Sequence, residues 1–282
     1  MKSFALLLGL FLMNDLQAQD TNCMIIGHRG FRGVYPENTL VGFQKALQLP
    51  IDGIELDVVV NKDHELVISH DPFFQKEFCL DSTGAKITNE KDYNIYKLSQ
   101  EEIMKFDCGS QQNPKFDEQQ LISQYKPLWR EFTELKELDS SHIILFEIKS
   151  VKADYGKSQP FPDEYAKLVV DELADYPFRP NIIIMSFDPA ILNEIHKISD
   201  EYRMVLLTYK PINSIKPSLK KLSFIPYAFG MFHPTINRKV IDQLHTLGLK
   251  CLAWTVNDQK IADRLHEIKV DALITDYPDR IK

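Results

Sequence analysis

Two histidines and two acidic residues in the first quarter of this chain have the types and spacing that chemistry at a bound cation requires. Glu55 and Asp57 are two positions apart in an apolar run, so both carboxylates point to one side of a strand. They repel each other there unless a cation or a proton intervenes. His28 and His70 flank the pair in the sequence, each close behind an apolar run. The combination predicts a site for a hard metal ion with imidazoles beside it.

A third carboxylate completes the predicted metal site. Glu147 lies in a later apolar run, and three oxygen-donor side chains with open coordination positions suit Ca²⁺ or Mg²⁺. The competing interpretation puts Glu55 and Asp57 on a solvated strand face, where isolated acidic pairs are usually found. The apolar neighbours Ile54 and Val58 favour burial, and a buried, uncompensated pair is costly. We therefore predict that Glu55, Asp57 and Glu147 bind a divalent metal ion.

His28 and His70 are the candidate general acid and base, because imidazole titrates near neutral pH and can hold either role. The sequence leaves open which of the two gives the proton and which takes it. A lone histidine is more often a packed or surface residue, and His233, before a proline, is left unassigned. The remaining histidines are interpreted as packed or surface residues: His64, His142, His196, His245 and His266.

Positive charge beside the predicted metal site would serve a phosphate group. Arg29 can make a bidentate contact to phosphate oxygens, and Lys149 adds a second cation. Asn38 and Thr39 open a predicted helix, where they either cap the free amides or leave them to face an anion. Trp254 lies at the end of a late strand. It is interpreted either as a core residue or as a pocket wall against which a sugar or glycerol packs.

Short β-branched or apolar runs alternate with helical patterns along the chain. The eight strand candidates are 24–26, 54–60, 66–68, 143–148, 182–185, 204–207, 227–229 and 250–256. A ninth run, 272–274, is interpreted as a short closing segment. Asp188 followed by Pro189 predicts the start of a helix, and Gly248 predicts the end of another. This alternation over 282 residues predicts an α/β fold, an irregular (β/α)8 TIM barrel.

Two connections depart from a regular barrel. Residues 61–65 are too few for a helical crossover, so 54–60 and 66–68 either form a hairpin or are joined by an extended segment. The stretch 72–126 loses periodicity and turns polar, which predicts an insertion or lid after the third strand. The candidate site residues then lie near strand ends, at the face where barrels build active sites.

The N-terminus is typical of a secretory signal peptide over residues 1–18. Lys2 precedes an apolar run that ends at Met13, and this run is too short to span a bilayer. We therefore expect a secreted or periplasmic protein without stable membrane insertion. A lipid anchor on Cys23 is disfavoured, since the residues before it are not small and apolar.

Composition narrows the partners and the redox chemistry. The chain has 33 basic and 40 acidic residues, a formal charge of −7, and it lacks a basic run that could follow a nucleic-acid backbone. Nucleic acid is therefore not expected as a partner. In an oxidising compartment, Cys79 and Cys108 are the best candidates for a disulfide, with free buried thiols as the alternative.

Taken together in chain order, these motifs resemble the glycerophosphodiester phosphodiesterase family. The likeness runs from about residue 24 to the C-terminus. It rests on His28-Arg29-Gly30, Pro36-Glu37-Asn38-Thr39, Glu55-x-Asp57, His70-Asp71, Glu147-Ile148-Lys149, Trp254-Thr255-Val256-Asn257 and Thr275-Asp276-x-Pro278. Each motif alone is weak evidence for the family, whereas the whole set in this order is specific to it.

The resemblance implies a distorted TIM barrel over residues 19–282 that hydrolyses small glycerophosphodiesters to glycerol 3-phosphate and an alcohol. Glycerophosphocholine and glycerophosphoethanolamine are examples of such substrates. The implied inserted subdomain corresponds to 72–126. The implied site consists of the catalytic pair His28 and His70, the metal ligands Glu55, Asp57 and Glu147, the phosphate contacts Arg29 and Lys149, and the pocket aromatic Trp254.

Other functions fit parts of the pattern. A related barrel phospholipase, like phosphatidylinositol phospholipase C or sphingomyelinase D, would use a comparable site on intact lipid, but residues 107–126 are mostly polar. A non-catalytic phosphate binder has no need of both histidines and all three acids. A sugar-modifying barrel is disfavoured because Glu55 and Asp57 are too close for opposed acid and base roles. The head group, the bound ion and the oligomeric state are left open by the sequence.

Overall fold

Eight parallel strands close into a barrel, and a further strand lies beside it. The structure is a computed structural model that describes residues 23–211 and 215–282, so the predicted signal peptide over 1–18 lies outside the described residues. The strands are β1 (Met24–Gly27), β2 (Gly53–Val60), β3 (Leu66–Ile68), β4 (Ile143–Ile148), β5 (Ile182–Ser186), β6 (Arg203–Thr208), β7 (Ala228–Phe232), β8 (Lys250–Trp254) and β9 (Ala272–Thr275). β1 pairs with both β2 and β9, which closes the ring β1-β2-β4-β5-β6-β7-β8-β9. The predicted (β/α)8 barrel is confirmed.

The strand outside the ring is β3, which the sequence analysis counted among the eight strands of the barrel. β3 pairs antiparallel with β2, with Val60 opposite Leu66, whereas β9 pairs in parallel with β1 and β8. The short 61–65 connection cannot cross the barrel, so the chain turns back on itself. The interpretation of 66–68 as a barrel strand is therefore wrong, whereas 272–274, interpreted as a short closing segment, is the strand that closes the ring onto β1. The hairpin alternative is confirmed.

The helices of the described residues include three that begin or end at a predicted signal. They are α1 (Leu40–Leu47), α2 (Gln100–Ile103), α3 (Trp129–Thr133), α4 (Pro162–Ala174), α5 (Pro189–Ile198), α6 (Lys216–Leu219), α7 (Arg238–Thr246) and α8 (Gln259–Glu267). Thr39 caps α1 by accepting a hydrogen bond from Gly42 N–H. Asp188 caps α5, and Gly248 follows α7 with a φ of 71°. None of the helices in the described ranges is long and apolar enough to cross a bilayer.

The strands of the barrel separate two apolar layers. The inner layer fills the barrel with residues such as Leu145, and the outer layer packs residues such as Ile54 and Leu56 against the helices. Successive side chains of a strand point to opposite faces. Glu55 and Asp57 alternate with these outward residues along β2, so both carboxylates face the barrel interior.

The 72–126 segment has an apolar cluster of its own. Phe74 and Phe106 stack with ring centroids 3.9 Å apart, and the cluster rests on Val59 and Val67 of the hairpin. The disulfide that the sequence left open is present inside this segment, between Cys79 and Cys108. Among the described residues, Cys23 and Cys251 are free thiols. The segment is therefore anchored to the hairpin by apolar packing, and the disulfide cross-links it internally.

We expect Cys79→Ser combined with Cys108→Ser to lower the free energy of unfolding by about 3 kcal/mol, because the bridge spans 29 residues of the unfolded chain. Urea unfolding measures the change. A thiol reductant should shift the unmutated protein by the same amount and should leave the double variant where it is. Equal unfolding midpoints for the oxidised protein and the double variant would contradict this expectation.

Candidate active site

Three carboxylates from two neighbouring strands meet inside the barrel. Asp57 on β2 lies opposite Glu147 on β4. Glu55 lies opposite Leu145, two residues earlier along each strand. One ligand oxygen from each acid lies within 4.8 Å of those of the other two, and all three residues are buried. The structure thus brings together the residues that the sequence analysis assigned to a metal ion. These three acids are called the acid cluster below.

Two buried oxygens of the acid cluster lack a hydrogen-bond partner. Glu55 Oε1 and Asp57 Oδ1 are buried without a hydrogen bond. Burial raises the pKa of Glu55 well above its ordinary value, and the charges of Asp57 and Glu147 raise it further. Like charges this close require a cation or a proton between them. Carboxylate oxygens with room for substrate oxygens fit a divalent ion such as Ca²⁺ or Mg²⁺.

Two positive side chains contact the acid cluster. Arg29 Nη1 lies 2.7 Å from Glu37 Oε1, and its Nε lies 3.2 Å from Asp57 Oδ2. Lys149 Nζ lies 2.6 Å from Glu147 Oε1 and 3.5 Å from Asp57 Oδ1. Burial tends to raise the pKa of Asp57, but Arg29 and Lys149 outweigh it and hold that pKa below its usual range. Both residues that were predicted to contact phosphate thus also neutralise the acids.

The loop after β1 is folded so that its side chains reach the acid cluster. Arg29 and Asn38 have positive φ angles of 52° and 54°. Asn38 Nδ2 donates to Asp57 Oδ2 at 2.9 Å, and Asn38 Oδ1 accepts from Asp57 N–H at 3.3 Å. Gly30 has a φ of 83°, and a Cβ there would lie 2.8 Å from the backbone of Gly42. The Asn38 side chain therefore orients Asp57 rather than capping α1 or facing an anion.

His28 is held by a carboxylate from the far end of the chain. Its Nδ1 lies 2.6 Å from Asp276 Oδ1, and its Nε2 lies 3.9 Å from Glu55 Oε2. Burial lowers the pKa of His28, and Asp276 offsets part of that effect. Burial tends to raise the pKa of Asp276, but His28 and Arg32 outweigh it and lower that pKa to about 2. An ionised carboxylate only accepts, so Nδ1 carries a proton and Nε2 is left for chemistry.

His70 reaches the same cavity from the returning strand of the hairpin. The sequence analysis placed His70 at the end of a barrel strand. That placement is wrong, because His70 follows β3, which runs antiparallel to β2 outside the ring. Its Nδ1 lies 2.8 Å from Asp71 Oδ2, and Gln75 Nε2 donates to the same carboxylate oxygen. The His70 side chain is 28% exposed and that of His28 is 13% exposed. Each imidazole therefore has a carboxylate at Nδ1.

A cavity of about 420 Å³ lies at the carboxyl ends of the barrel strands. The predicted site residues that line it are His28, Arg29, Glu55, His70, Glu147, Lys149 and Trp254. Its other side is aromatic, because Phe187 and Tyr209 stack with ring centroids 4.7 Å apart and Trp254 stands perpendicular to both. The 72–126 segment also lines the cavity, through Gln75, Glu77, Phe78 and residues 113–115. Trp254 is thus a pocket wall, as one of its two interpretations predicted.

Several residues that hold the site had no role from sequence reasoning. Arg32 Nε lies 2.6 Å from Glu37 Oε2, and the Glu37 carboxylate in turn positions Arg29. Asn257 Nδ2 donates to Asp276 Oδ2 at 2.7 Å. Glu37, Asn257 and Asp276 belong to motifs that the sequence analysis noted. Polar residues beside strand ends were the available signal, and their partners could be identified only from the fold.

A TIM barrel with a polar cavity at the carboxyl ends of its strands defines an enzyme of the barrel class. Residues 28–280 match the Glycerophosphoryl diester phosphodiesterase family. The Bacillus subtilis protein YhdW is 30% identical over 259 residues, which cover 91% of this chain and 96% of that protein. A glycerophosphodiester phosphodiesterase of Caldanaerobacter subterraneus is 29% identical over 260 residues, which cover 92% of this chain and 96% of that protein. The chain belongs to the glycerophosphoryl diester phosphodiesterase family.

Solved structures agree with this membership. A Silicibacter pomeroyi protein that carries the same family name superposes with a TM-score of 0.82 at 26% identity, over 92% of this chain and 91% of that chain. An Oleispira antarctica phosphodiesterase, solved in complex with the product sn-glycerol-3-phosphate, superposes with a TM-score of 0.74. It is 22% identical, and the match covers 92% of this chain and 94% of that chain, so this likeness shows the fold.

We expect Asn38→Gly to weaken divalent-metal binding about 10- to 100-fold, because the amide that orients the Asp57 carboxylate is lost. Glycine adopts the positive φ of position 38 without strain, so the turn is kept. Calorimetric titration with Ca²⁺ and with Mg²⁺ measures the affinity. Lys269→Gly, at an exposed position with a φ of 65°, is the matched control. Unchanged affinity in Asn38→Gly would rule out this role.

Proposed function

We propose that the chain hydrolyses small glycerophosphodiesters to glycerol 3-phosphate and an alcohol, with His28 and His70 as general acid and base. The observation that carries the proposal is a single cavity lined by both imidazoles together with Glu55 and Glu147 of the acid cluster. Membership of the family supports the same reaction. The Oleispira antarctica neighbour, solved with sn-glycerol-3-phosphate as its product, is consistent with it.

The positive side chains lining the cavity reduce the charge repulsion that opposes attack on a phosphodiester. A phosphodiester resists hydrolysis because its anionic oxygens repel a nucleophile and its alkoxide leaving group is poor. Arg29 and Lys149 line the cavity with N–H donors that can bind the non-bridging oxygens. Such donors stabilise the negative charge that develops on those oxygens in the transition state.

The acid cluster would hold a divalent ion, which we propose to be Ca²⁺ or Mg²⁺. When bound, such an ion supplies Lewis-acid stabilisation to phosphate oxygens and lowers the pKa of a hydroxyl. Glu55, Asp57 and Glu147 offer oxygen ligands only, as these ions prefer. Arg29 and Lys149 favour the ionised form of Asp57, which is the form that a ligand needs.

The two imidazoles carry the proton transfers. One takes the proton from the nucleophile, either water or the substrate's own 2-hydroxyl, as a new bond to phosphorus forms. The other gives a proton to the departing alcohol as its bond to phosphorus breaks. Attack by the 2-hydroxyl gives a cyclic phosphodiester, which water then opens. Because Asp276 and Asp71 occupy Nδ1 of the two rings, Nε2 of each ring is the atom that transfers the proton.

The remaining lining supports a small substrate. The aromatic side formed by Phe187, Tyr209 and Trp254 can pack against the carbon skeleton of the diester. Residues 113–115, which are Asn-Pro-Lys, favour a polar substrate over the acyl chains of an intact lipid. The proposed location is secreted or periplasmic, on the basis of the signal-peptide pattern in residues 1–18.

We expect purified protein to release glycerol 3-phosphate from glycerophosphocholine in the presence of Ca²⁺ or Mg²⁺, because the acid cluster needs a cation. A coupled glycerol 3-phosphate assay measures the rate. Chelation followed by dialysis should abolish turnover, and adding back one of the two ions should restore it. Full turnover by protein shown to be metal-free would refute the metal assignment. Hydrolysis of phosphatidylinositol or sphingomyelin vesicles in preference to glycerophosphocholine would favour the phospholipase alternative.

We expect His28→Ala and His70→Ala each to lower kcat by about 10²-fold or more, since general acid or base assistance contributes about 10²- to 10⁴-fold. Circular dichroism should report an intact barrel in both variants. His245→Ala, at an exposed position of α7, is the matched control and should keep the unmutated rate. A kcat close to that of the control in either variant would remove that histidine from the chemistry.

A further inference from the structure

A chain of hydrogen bonds from two late motifs ends on His28. Asn257 Nδ2 donates to Asp276 Oδ2 at 2.7 Å, and Asp276 Oδ1 lies 2.6 Å from His28 Nδ1. The Asp276 side chain is 7% exposed, so this contact is largely shielded from water. Asp276 Oδ2 therefore serves Asn257, while Oδ1 serves His28 and has Arg32 Nη1 as a more distant neighbour at 3.7 Å.

The orientation of the Asn257 amide is fixed by its other contacts. Asn257 Oδ1 accepts from the backbone N–H of Asp276 at 2.9 Å and from Thr275 Oγ1 at 3.2 Å. The Thr275 hydroxyl itself accepts from Tyr277 N–H at 3.1 Å, so its own proton is free to point at Asn257. A backbone N–H can only donate. The amide oxygen must face it, and the amide nitrogen must face Asp276 Oδ2.

We propose that Asn257 is a positioning residue that acts through Asp276 to fix the tautomer of His28, with the proton on Nδ1 and the lone pair of Nε2 facing the acid cluster. The proposal rests on the proposed function in that His28 is taken to transfer a proton during phosphodiester hydrolysis. Asn257 is not one of the residues that line the cavity, and its side chain hydrogen-bonds Asp276 and Thr275 rather than the imidazole, so it acts through Asp276.

An asparagine in place of Asp276 would reverse the tautomer. The Asn257 amide nitrogen still needs an acceptor, so the new amide turns its oxygen to Asn257 and its nitrogen to His28. An amide nitrogen can only donate, and Nδ1 must then become an acceptor. The proton of the neutral imidazole moves to Nε2, and the lone pair facing the acid cluster is lost.

A reciprocal exchange restores the original tautomer. In Asn257→Asp combined with Asp276→Asn, the new carboxylate at 257 accepts from the backbone N–H of residue 276 and from the side-chain amide of that residue. The amide oxygen at 276 is then free to face His28, where it accepts from Nδ1. The double variant therefore has the hydrogen-bond polarity of the unmutated chain at His28, although the negative charge has moved from position 276 to position 257.

The experiment measures kcat and KM for glycerophosphocholine and the nitrogen NMR shifts of the His28 imidazole, with the metal-loaded protein at a pH where this ring is neutral. We expect Asp276→Asn to lower kcat by about 10²- to 10⁴-fold with little change in KM. Its NMR shifts should report the proton on Nε2. Asn257→Asp alone should also have a low kcat, because the new carboxylate at position 257 lies against the carboxylate of Asp276. The double variant should recover at least about 10-fold of the kcat lost by Asp276→Asn, with the proton back on Nδ1.

Two results would overturn the proposal. One is an Asp276→Asn protein that keeps the Nδ1 proton. The other is a folded double variant that is as slow as Asp276→Asn and has its proton on Nε2. Asp71→Asn is the comparison for general damage. The Asp71 side chain is 35% exposed, so the new amide is free to turn its oxygen toward His70 Nδ1, and the loss of kcat should be smaller. If the unmutated protein hydrolyses no glycerophosphodiester, the proposed function fails, while the NMR comparison still tests the tautomer.

Discussion

The burial of three carboxylates inside one barrel is the constraint on which the rest of the site depends. Parallel pairing of β2 with β4 puts Asp57 beside Glu147, and the pleat adds Glu55 on the same side. Burying like charges is costly unless they are paired. Arg29 and Lys149 supply two positive charges against three carboxylates, so a further cation, or a proton on Glu55, completes the balance. The positions of the loop after β1 and of Lys149 follow from this requirement.

Sequence pattern predicts the residues of this site that sit on strands, because strand periodicity decides which way a side chain points. Glu55 and Asp57 were assigned correctly to one face for that reason, and the barrel followed from the alternation of strands and helices. The identity of the extra strand was harder to predict. The run 66–68 is as apolar as its neighbours, and only the short 61–65 connection indicates that it turns back. The run 272–274 is short, although it has a barrel strand on either side.

Partners that meet across the fold are beyond what periodicity can predict. His28 and Asp276 are 248 positions apart, and no local pattern joins them. Asn38 was ambiguous for a different reason, because asparagine is both a common helix cap and a residue that tolerates a positive φ. In the structure the cap is made by Thr39, which frees the Asn38 amide to hold Asp57. The residue types were informative, and the geometry decided between their uses.

The strand pairing that closes the barrel also positions His28. In the last strand pair Gly27 lies opposite Thr275, and the next residue along each strand is His28 or Asp276. His28 N–H donates to the Thr275 carbonyl at 2.8 Å, so the sheet hydrogen bonds continue to the edge of the site. The pairing that closes the ring therefore also delivers the carboxylate that holds the imidazole. A barrel left open between β1 and β9 would have its acid cluster, which lies on β2 and β4, but His28 would lack the partner that fixes its proton.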